Sequence, residues 1–275
     1  MKNDLQKDFG TYALKKGQNR LLYWAQSMPL SWLGRRAALI LRKSVLIHGQ
    51  SIVDATVDGL KLRLYTQDNV SERKFLFMPQ FFDPYERGLL KSALKEGGVF
   101  VDIGANAGIY TLTAAPMVGD SGRVLSVEPN PVVLERLKFN AALNGLGKRI
   151  IGEQAGVSDA EGSFDLTLDD SNLGGSSLVA ERSSQKISVA CYKLLSLVQK
   201  HQLQKIDALK IDIEGAEDKA LIPFFAEAPR SLYPKILILE NSPQDWKQDL
   251  PAALKNAGYT LKKTTRMNQV WAYAS

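Results

Sequence analysis

Apolar residues recur along this chain with two periods, and the changes of period divide it. Before residue 50 the period is helical, and two apolar helical stretches flank Pro29. In the second, Leu33, Ala37, Ile40 and Leu41 fall on one side of a helix, with Arg35, Arg36, Arg42 and Lys43 opposite. A basic amphipathic helix can lie on an anionic membrane surface. The preferred expectation is a helix docked on the protein's own core with its basic face in water, because every surface helix needs a polar face. Peripheral membrane contact through the basic face is the alternative.

The period then drops to two. Ile52-Val53-Asp54-Ala55-Thr56-Val57 and Leu60-Lys61-Leu62-Arg63-Leu64 flank Asp58-Gly59, a pair suited to a tight hairpin turn with positive φ. A helix signal follows, with Asp83 as N-cap, Pro84 at the first position and Glu86 at the third. From Val99 onward short apolar strands alternate with helices: strand Val99–Ile103, helix Ile109–Met117, strand Arg123–Val127, helix Pro131–Leu143, a third strand over Arg149–Gly152, and buried-type strands over Ala208–Ile213 and Lys235–Glu240. This is the pattern of a parallel sheet covered on both faces. Tyr259–Thr265 and Gln269–Ala274 form a hairpin pattern around Arg266-Met267-Asn268, so the sheet should finish with an antiparallel strand. Ser171–Ser177, between the strand-like runs Ser163–Leu168 and Lys186–Ala190, reads equally as a lid over a site or as a plain surface loop.

Composition narrows this only a little. With 275 residues, 45% hydrophobic and 23% charged, the chain is an ordinary globular protein, one α/β domain with an extension or two small domains. The single cysteine, Cys191, excludes an intrachain disulfide. The net charge of +6 bears first on solubility, and no interleaved aromatic and basic patch marks a nucleic-acid surface, so no nucleic-acid partner is expected. No apolar run approaches the ~20 residues that span a bilayer. Met1–Gly10 is polar and carries Asp4 and Asp8, unlike a signal peptide, so a cytoplasmic location is expected.

The chemistry gathers at the strand ends. Asp102-Ile103-Gly104-Ala105-Asn106-Ala107-Gly108 links a strand to a helix, where a glycine-rich turn lets a ligand approach the backbone and the helix N-terminus offers free amides. The dinucleotide fingerprint Gly-x-Gly-x-x-Gly is not met, since position 106 is Asn. Asp102 would repel a pyrophosphate but suits a ligand bearing an ammonium and a sulfonium. Glu128, at the next strand end and followed by Pro129 and Asn130, can accept hydrogen bonds from both ribose hydroxyls.

These segments resemble a family. Val101 to Gly108 looks like the first motif of the FkbM-type methyltransferases, and Val127-Glu128-Pro129-Asn130-Pro131 resembles their second. Lys210-Ile211-Asp212-Ile213-Glu214-Gly215-Ala216-Glu217 is similar to their most distinctive motif, and Ile238-Leu239-Glu240-Asn241 matches the segment after it. The resemblance runs from about Asp83 to the C-terminus. It implies a Rossmann-like methyltransferase fold, a mostly parallel seven-stranded sheet with an antiparallel C-terminal strand, over residues 81–275; the helical and hairpin patterns over 1–80 read as an extension before it, which the resemblance does not cover. It implies S-adenosylmethionine as cofactor, Ala155-Gly156-Val157 against the adenine, and O-methylation of a hydroxyl on a small molecule, sugar, polysaccharide or natural product. Many members carry Thr-Leu-Asp where this chain has Cys191-Tyr192-Lys193, so no role of that acid carries over.

Methyl transfer from a sulfonium is an in-line displacement, and the acceptor hydroxyl needs a base within hydrogen-bond reach. His48 and His201 sit at no predicted strand end and are set aside. Asp212 is the first candidate for aligning or deprotonating the acceptor, Glu214 the second and Glu240 the third, all beyond the carboxyl ends of strands. Asp212 and Glu214 point the same way if the strand continues through them; the plainer alternative is that Glu214 and Glu217 favour the next helix N-terminus. No metal is assigned, although Asp212, Glu240 and Asn241 are all oxygen ligands and could bind Mg²⁺. A non-catalytic nucleoside-binding protein and a nicotinamide-dependent oxidoreductase are the alternatives to a methyltransferase.

Overall fold

The computed structural model describes residues 3–47, 49–167 and 186–274, so His48 and the Ser171–Ser177 stretch lie outside the described residues. The chain opens with two helices, α1 (Lys16–Gln26) and α2 (Trp32–Leu46). Gln18 near the start of α1 donates to the Val45 carbonyl near the end of α2 at 3.0 Å, so the pair runs antiparallel. α2 is capped by Ser31, whose hydroxyl accepts from the Gly34 amide. Its docking face differs from the expected one. Gly34, Ala38 and Val45 are buried, whereas Leu33 and Ile40 are 71% and 66% exposed. A Cβ on Gly34 would stand 2.1 Å from the Pro29 carbonyl oxygen. Close approach through small residues decides the rotation of the helix, about a quarter turn away from the Leu33 side.

The predicted hairpin forms as β1 (Ile52–Val57) and β2 (Leu60–Tyr65), with Asp58 and Gly59 at φ 49° and 83°. Arg63 is wholly buried within it. Its guanidinium makes two bonds to Asp54, at 2.8 and 2.9 Å, and donates to the Lys7 and Asp8 carbonyls. Such a fork satisfies several acceptors at once, which a lysine cannot do. The next helices are α3 (Val70–Phe77) and α4 (Pro84–Ala93). Asp83 precedes α4 as expected but does not cap it: its backbone is left-handed (φ 44°), and its carboxylate accepts from the Tyr110 hydroxyl. Glu86 likewise turns away from the helix start and accepts from Thr265 Oγ1 (2.8 Å) and Asn268 Nδ2 (3.0 Å), tying α4 to the C-terminal hairpin.

The alternating segment follows as β3 (Val99–Ile103), α5 (Ile109–Val118), β4 (Arg123–Val127), α6 (Pro131–Leu143), β5 (Ile150–Glu153) and a short β6 (Gly156–Val157). Then come β7 (Gly162–Thr167), β8 (Lys186–Tyr192), α7 (Leu194–Lys200), β9 (Ala208–Ile211), α8 (Glu217–Glu227), β10 (Ile236–Glu240), α9 (Leu250–Asn256), β11 (Tyr259–Thr264) and β12 (Asn268–Tyr273). Among the described residues the central sheet has seven strands in the order β11-β12-β10-β9-β3-β4-β5, parallel except at β12, which runs antiparallel to both neighbours. That is the Rossmann-like α/β architecture expected. β6, β8 and β7 form a small separate sheet.

Two apolar clusters cover the two faces. One joins α1–α5 and the β1–β2 hairpin to the near face of the sheet, through Phe75, Phe82, Phe100 and Leu112. The other packs α7–α9 on the far face, through Leu197, Leu221, Leu237 and Trp271. α5 is apolar almost all round because it lies between the sheet and the N-terminal layer. Asn140 on α6 satisfies both backbone groups of Arg63, and Asn144 those of Lys61, so two asparagines stand in for a neighbouring strand along the free edge of β2. Among the described residues no helix is long and apolar enough to cross a membrane.

Candidate active site

Strand register brings the singled-out residues together. Ile103 pairs with Val127 on one side and Ile211 on the other, and Ile211 pairs with Leu239. One step beyond that row stand Glu128, Gly104 and Asp212, where the chain leaves the sheet, and Glu240, the last residue of β10. β3 is the strand at which the sheet order reverses, so these residues ring the crevice where open α/β sheets take ligands.

The glycine turn is shaped by internal bonds. Gly104 (φ 70°) and Gly108 (φ 82°) are left-handed, and a Cβ at Gly104 would fall 1.9 Å from the Asp212 carbonyl oxygen. The amides of the loop itself are spent inside the fold. Gly104 and Ala105 donate to the Val127 carbonyl, Asn106 to Glu128 Oε2, Ala107 to Asn106 Oδ1, and Gly108 to the Ala105 carbonyl. Short loops must satisfy their own donors when buried, and this one does so by bonding to the neighbouring strand end. Asn69, which caps α3, also donates to Asn106 Oδ1 at 2.6 Å, so the N-terminal layer touches the loop directly.

Glu128 is buried at the end of β4. Its two oxygens accept the Asn106 and Asn130 amides, each at 2.8 Å, while burial lifts its pKa to about 7. Each oxygen still has a lone pair for a hydroxyl donor. Asn130 caps α6 by accepting from the Val132 amide, with half-buried Pro129 between. Ala155 and Gly156 are buried beside the end of β5. Gly156 makes room for the Phe164 ring, which a Cβ would meet at 2.2 Å.

Asp102 does not face the crevice. It is fully buried in β3, with Oδ2 accepting from Thr111 Oγ1 at 2.7 Å and Oδ1 without a partner; burial raises its pKa. Across the register it adjoins Lys210, a buried cation on β9 that the sequence reading passed over. The Lys210 ammonium bonds Asp212 Oδ2 at 3.0 Å and lies over the Tyr110 ring. Burial works against that charge, but Asp212 and Asp102 outweigh it and hold the pKa above the ordinary lysine value. A lysine inside an otherwise apolar strand was the available signal, because a buried charge needs partners.

The three candidate acids differ. β9 ends at Ile211, so Asp212 and Glu214 do not share a strand face, contrary to the extended-strand expectation; Glu214 is left-handed (φ 56°) and exposed at the rim. Loss of water on its inner side, then Asp212 and Glu217, raise its pKa. Glu240 is half-buried, and its Oε2 is sequestered without a partner. Burial, then the Asp212, Glu214 and Glu217 carboxylates, push its pKa to about 8, with Lys210 opposing. Two further acids organise the crevice. Glu217 accepts from the Ile213 amide (2.9 Å) and Trp246 Nε1 (2.8 Å), and Asp218 from the Lys247 and Gln248 amides. Both stand in the first turn of α8, but their carboxylates hold loops rather than the helix end, and Glu214 precedes the helix. Asn241 spends its side-chain amide on Gln269 and the Thr265 carbonyl. Among the described residues no group of three His, Cys, Asp or Glu side chains is placed to hold a metal ion. His201 pairs with Glu153, at the end of β5, at 2.9 Å.

Comparison with known proteins returns methyltransferases. A family model described as the methyltransferase FkbM domain matches residues 102–261. The chain is 26% identical over 202 residues to methyltransferase sdnD of Sordaria araneosa, covering 62% of this chain and 76% of that protein. Among solved structures it is similar to a methyltransferase from Geobacter sulfurreducens (13% identity, TM-score 0.44, 97% of this chain and all of that one). It is also similar to an O-methyltransferase from Bacillus cereus in complex with S-adenosylhomocysteine (14% identity, TM-score 0.43, 70% and 82%).

Proposed function

The chain belongs to the FkbM methyltransferase family, and from that premise we propose that it methylates a hydroxyl on a sugar, polysaccharide or natural product, with Glu240 as the base. It is an S-adenosylmethionine-dependent enzyme, which sets aside the oxidoreductase and the non-catalytic alternatives. Glu128, Asn106 and Gly104 would hold the cofactor, with Ala105, Gly108, Pro129, Asn130, Ala155 and Gly156 shaping its bed. The fit rests on Glu128, a desolvated acid at a strand end, held by two amides and with acceptor capacity left for a ribose. Asp102 acts from beneath the loop, as support for Lys210.

When bound, the cofactor supplies a methyl group on a sulfonium. The chain must align an acceptor oxygen with that methyl and take its proton. Transfer would join the methyl carbon to that oxygen as its bond to sulfur breaks, with the electron pair left on sulfur, so the chain's own part is alignment and proton removal. The observation that carries the assignment is the sequestered, unpartnered Glu240 Oε2 beside the Lys210–Asp212 pair. A carboxylate whose pKa is lifted to about 8 is a far stronger base than an ordinary glutamate. Asp212, tied to Lys210, is suited to orient the hydroxyl, and exposed Glu214 to meet the acceptor at the rim. The test is incubation with S-adenosylmethionine and a panel of glycans, polyols and amines, with products read by mass spectrometry and by the methyl carbon shift. Methoxyl products support the reading; methyl transfer to nitrogen alone overturns it.

A further inference from the structure

Residues 9–53 contain seven lysines and arginines and no aspartate or glutamate, although the whole chain carries a net charge of only +6. The protein's positive excess therefore resides in the α1–α2 pair and its flanks. The same pair turns apolar side chains outward. On α2 and its C-cap, Leu33, Ile40 and Ile47 recur every seven residues as one exposed line, and Trp32, Arg36 and Lys43 form a second exposed line beside it. Trp32 and Ile47 are 68% and 74% exposed. On α1 the outward residues are Lys16, Arg20, Tyr23 and Trp24, and Leu30 stands exposed in the turn between the helices. Arg20 and Arg36 lie against the Trp24 and Trp32 rings.

We infer that this helical pair is a docking surface for an anionic lipid bilayer. The outward face combines aliphatic residues that gain by entering the acyl boundary, tryptophans and a tyrosine suited to the headgroup level, and cations that meet acidic lipids. The absence of acids over the whole segment makes the charge complementarity one-sided. Aliphatic side chains at Leu30, Leu33, Ile40 and Ile47 add nothing to a phosphate-reading surface, which favours lipid over nucleic acid. The pair is rigidly mounted: Gln26 donates to the Leu76 carbonyl at 2.7 Å, and Gln80 to the carbonyls of Ala25 and Met28. Through α3 and Asn69, the same layer reaches the Asn106 loop, so docking would set the crevice at a fixed height above the bilayer. The inference does not depend on the nature of the methyl acceptor.

The test is co-sedimentation of the full chain with phosphatidylcholine vesicles with and without phosphatidylglycerol, at low and high salt. The expected result is binding to the phosphatidylglycerol vesicles alone, weakened by salt. Leu33→Ser/Ile40→Ser and, separately, Arg36→Glu/Lys43→Glu should each reduce it roughly tenfold or more. Both pairs are exposed, so the melting temperature and S-adenosylmethionine affinity should stay at native values, which separates this outcome from failure of the crevice assignment. No sedimentation with anionic vesicles overturns the inference. So does binding indifferent to both variants, tighter capture of single-stranded RNA, or a dimer in sedimentation velocity that Leu33→Ser/Ile40→Ser dissolves.

Discussion

The Lys210 ammonium, buried on β9, holds Asp212 Oδ2 at 3.0 Å and opposes the carboxylates that raise Glu240. Two acids and one cation thus share the end of neighbouring parallel strands, and each sets the behaviour of the next. Lys210→Met should therefore do more than lower activity. Without the cation the Glu240 pKa rises further, so the rising limb of the kcat–pH profile should move to higher pH. Asp212 is partly open to water, so removing its buried partner should also cost roughly 1–3 kcal/mol of stability. A profile unmoved in a folded variant would show that Lys210 does not act on the base.

The pH dependence of the native enzyme follows from Glu240 itself. With a folded pKa of about 8, the base is mostly protonated at neutral pH, and kcat should climb as pH rises through about 8. Stability should run the other way. The folded pKa lies above the unfolded one, so the native state holds the extra proton between them, and stability falls as pH rises across that window. Glu240→Gln cannot ionise and should abolish the alkaline limb of activity. At pH above 8 it should raise stability by on the order of 1 kcal/mol, a Tm gain of roughly 2–4 °C, the open crevice having screened part of the effect. A lower Tm for Glu240→Gln at alkaline pH would contradict the assignment.

Gly104 should not tolerate even a methyl group. A Cβ there meets the Asp212 carbonyl oxygen at 1.9 Å, and the residue's φ of 70° is unfavourable for any other side chain. The Cβ position is fixed by the backbone and the atom it meets is a backbone oxygen, so no rotamer change relieves the clash. Gly104→Ala should lower stability by roughly 1–3 kcal/mol as well as weaken cofactor binding. The check is a thermal melt without cofactor beside a calorimetric titration. A native melt with normal affinity would mean that the turn is not the rigid cradle described.

Glu128 tests the cofactor bed. Glu128→Ala should weaken S-adenosylmethionine by roughly 1–3 kcal/mol and, by leaving the Asn106 and Asn130 amides unpaired, lower Tm as well. Glu128→Gln keeps the shape and can satisfy one amide, so it should fall between native and Ala in both measurements. Unchanged affinity in the folded Gln and Ala variants would remove Glu128 from the ribose.

Much of this crevice was legible before any coordinates. Strands, turns and acids that follow apolar runs are local signals, and parallel register then does the assembling: residues one step past Ile103, Val127, Ile211 and Leu239 meet because their strands align. What was missed depends on contacts distant in sequence. Asp83 fits an N-cap until Tyr110, on another helix, claims its carboxylate. Leu33 and Ile40 fit a core face until the Pro29 turn presses on Gly34 and selects the small-residue side. Glu217 looks like a first-turn acid, yet its carboxylate fastens the loops carrying Ile213 and Trp246. Lys210 was visible as an anomaly in an apolar strand, but its meaning required Asp102 beside it across the register.

The division of labour between Asp212 and Glu240 is the sharpest point on which the chemistry can fail. If Glu240 takes the proton, Glu240→Gln should lose about 10²–10⁴-fold in kcat with S-adenosylmethionine affinity preserved, since general-base contributions fall in that range. If Asp212 only orients the hydroxyl, Asp212→Asn should keep part of the activity, because an amide oxygen still accepts a hydrogen bond. Its loss should appear partly in the KM of the acceptor, and the surviving activity should keep an alkaline limb. That limb should move to lower pH, since Asp212 is one of the carboxylates raising Glu240. The opposite pattern, with Asp212→Asn inactive and Glu240→Gln nearly native, would make Asp212 the base and Glu240 a bystander. Chelator should leave both results unchanged if carboxylates alone do the work; activity that vanishes with chelator and returns with Mg²⁺ would mean that a cation, and no base alone, lowers the acceptor's pKa.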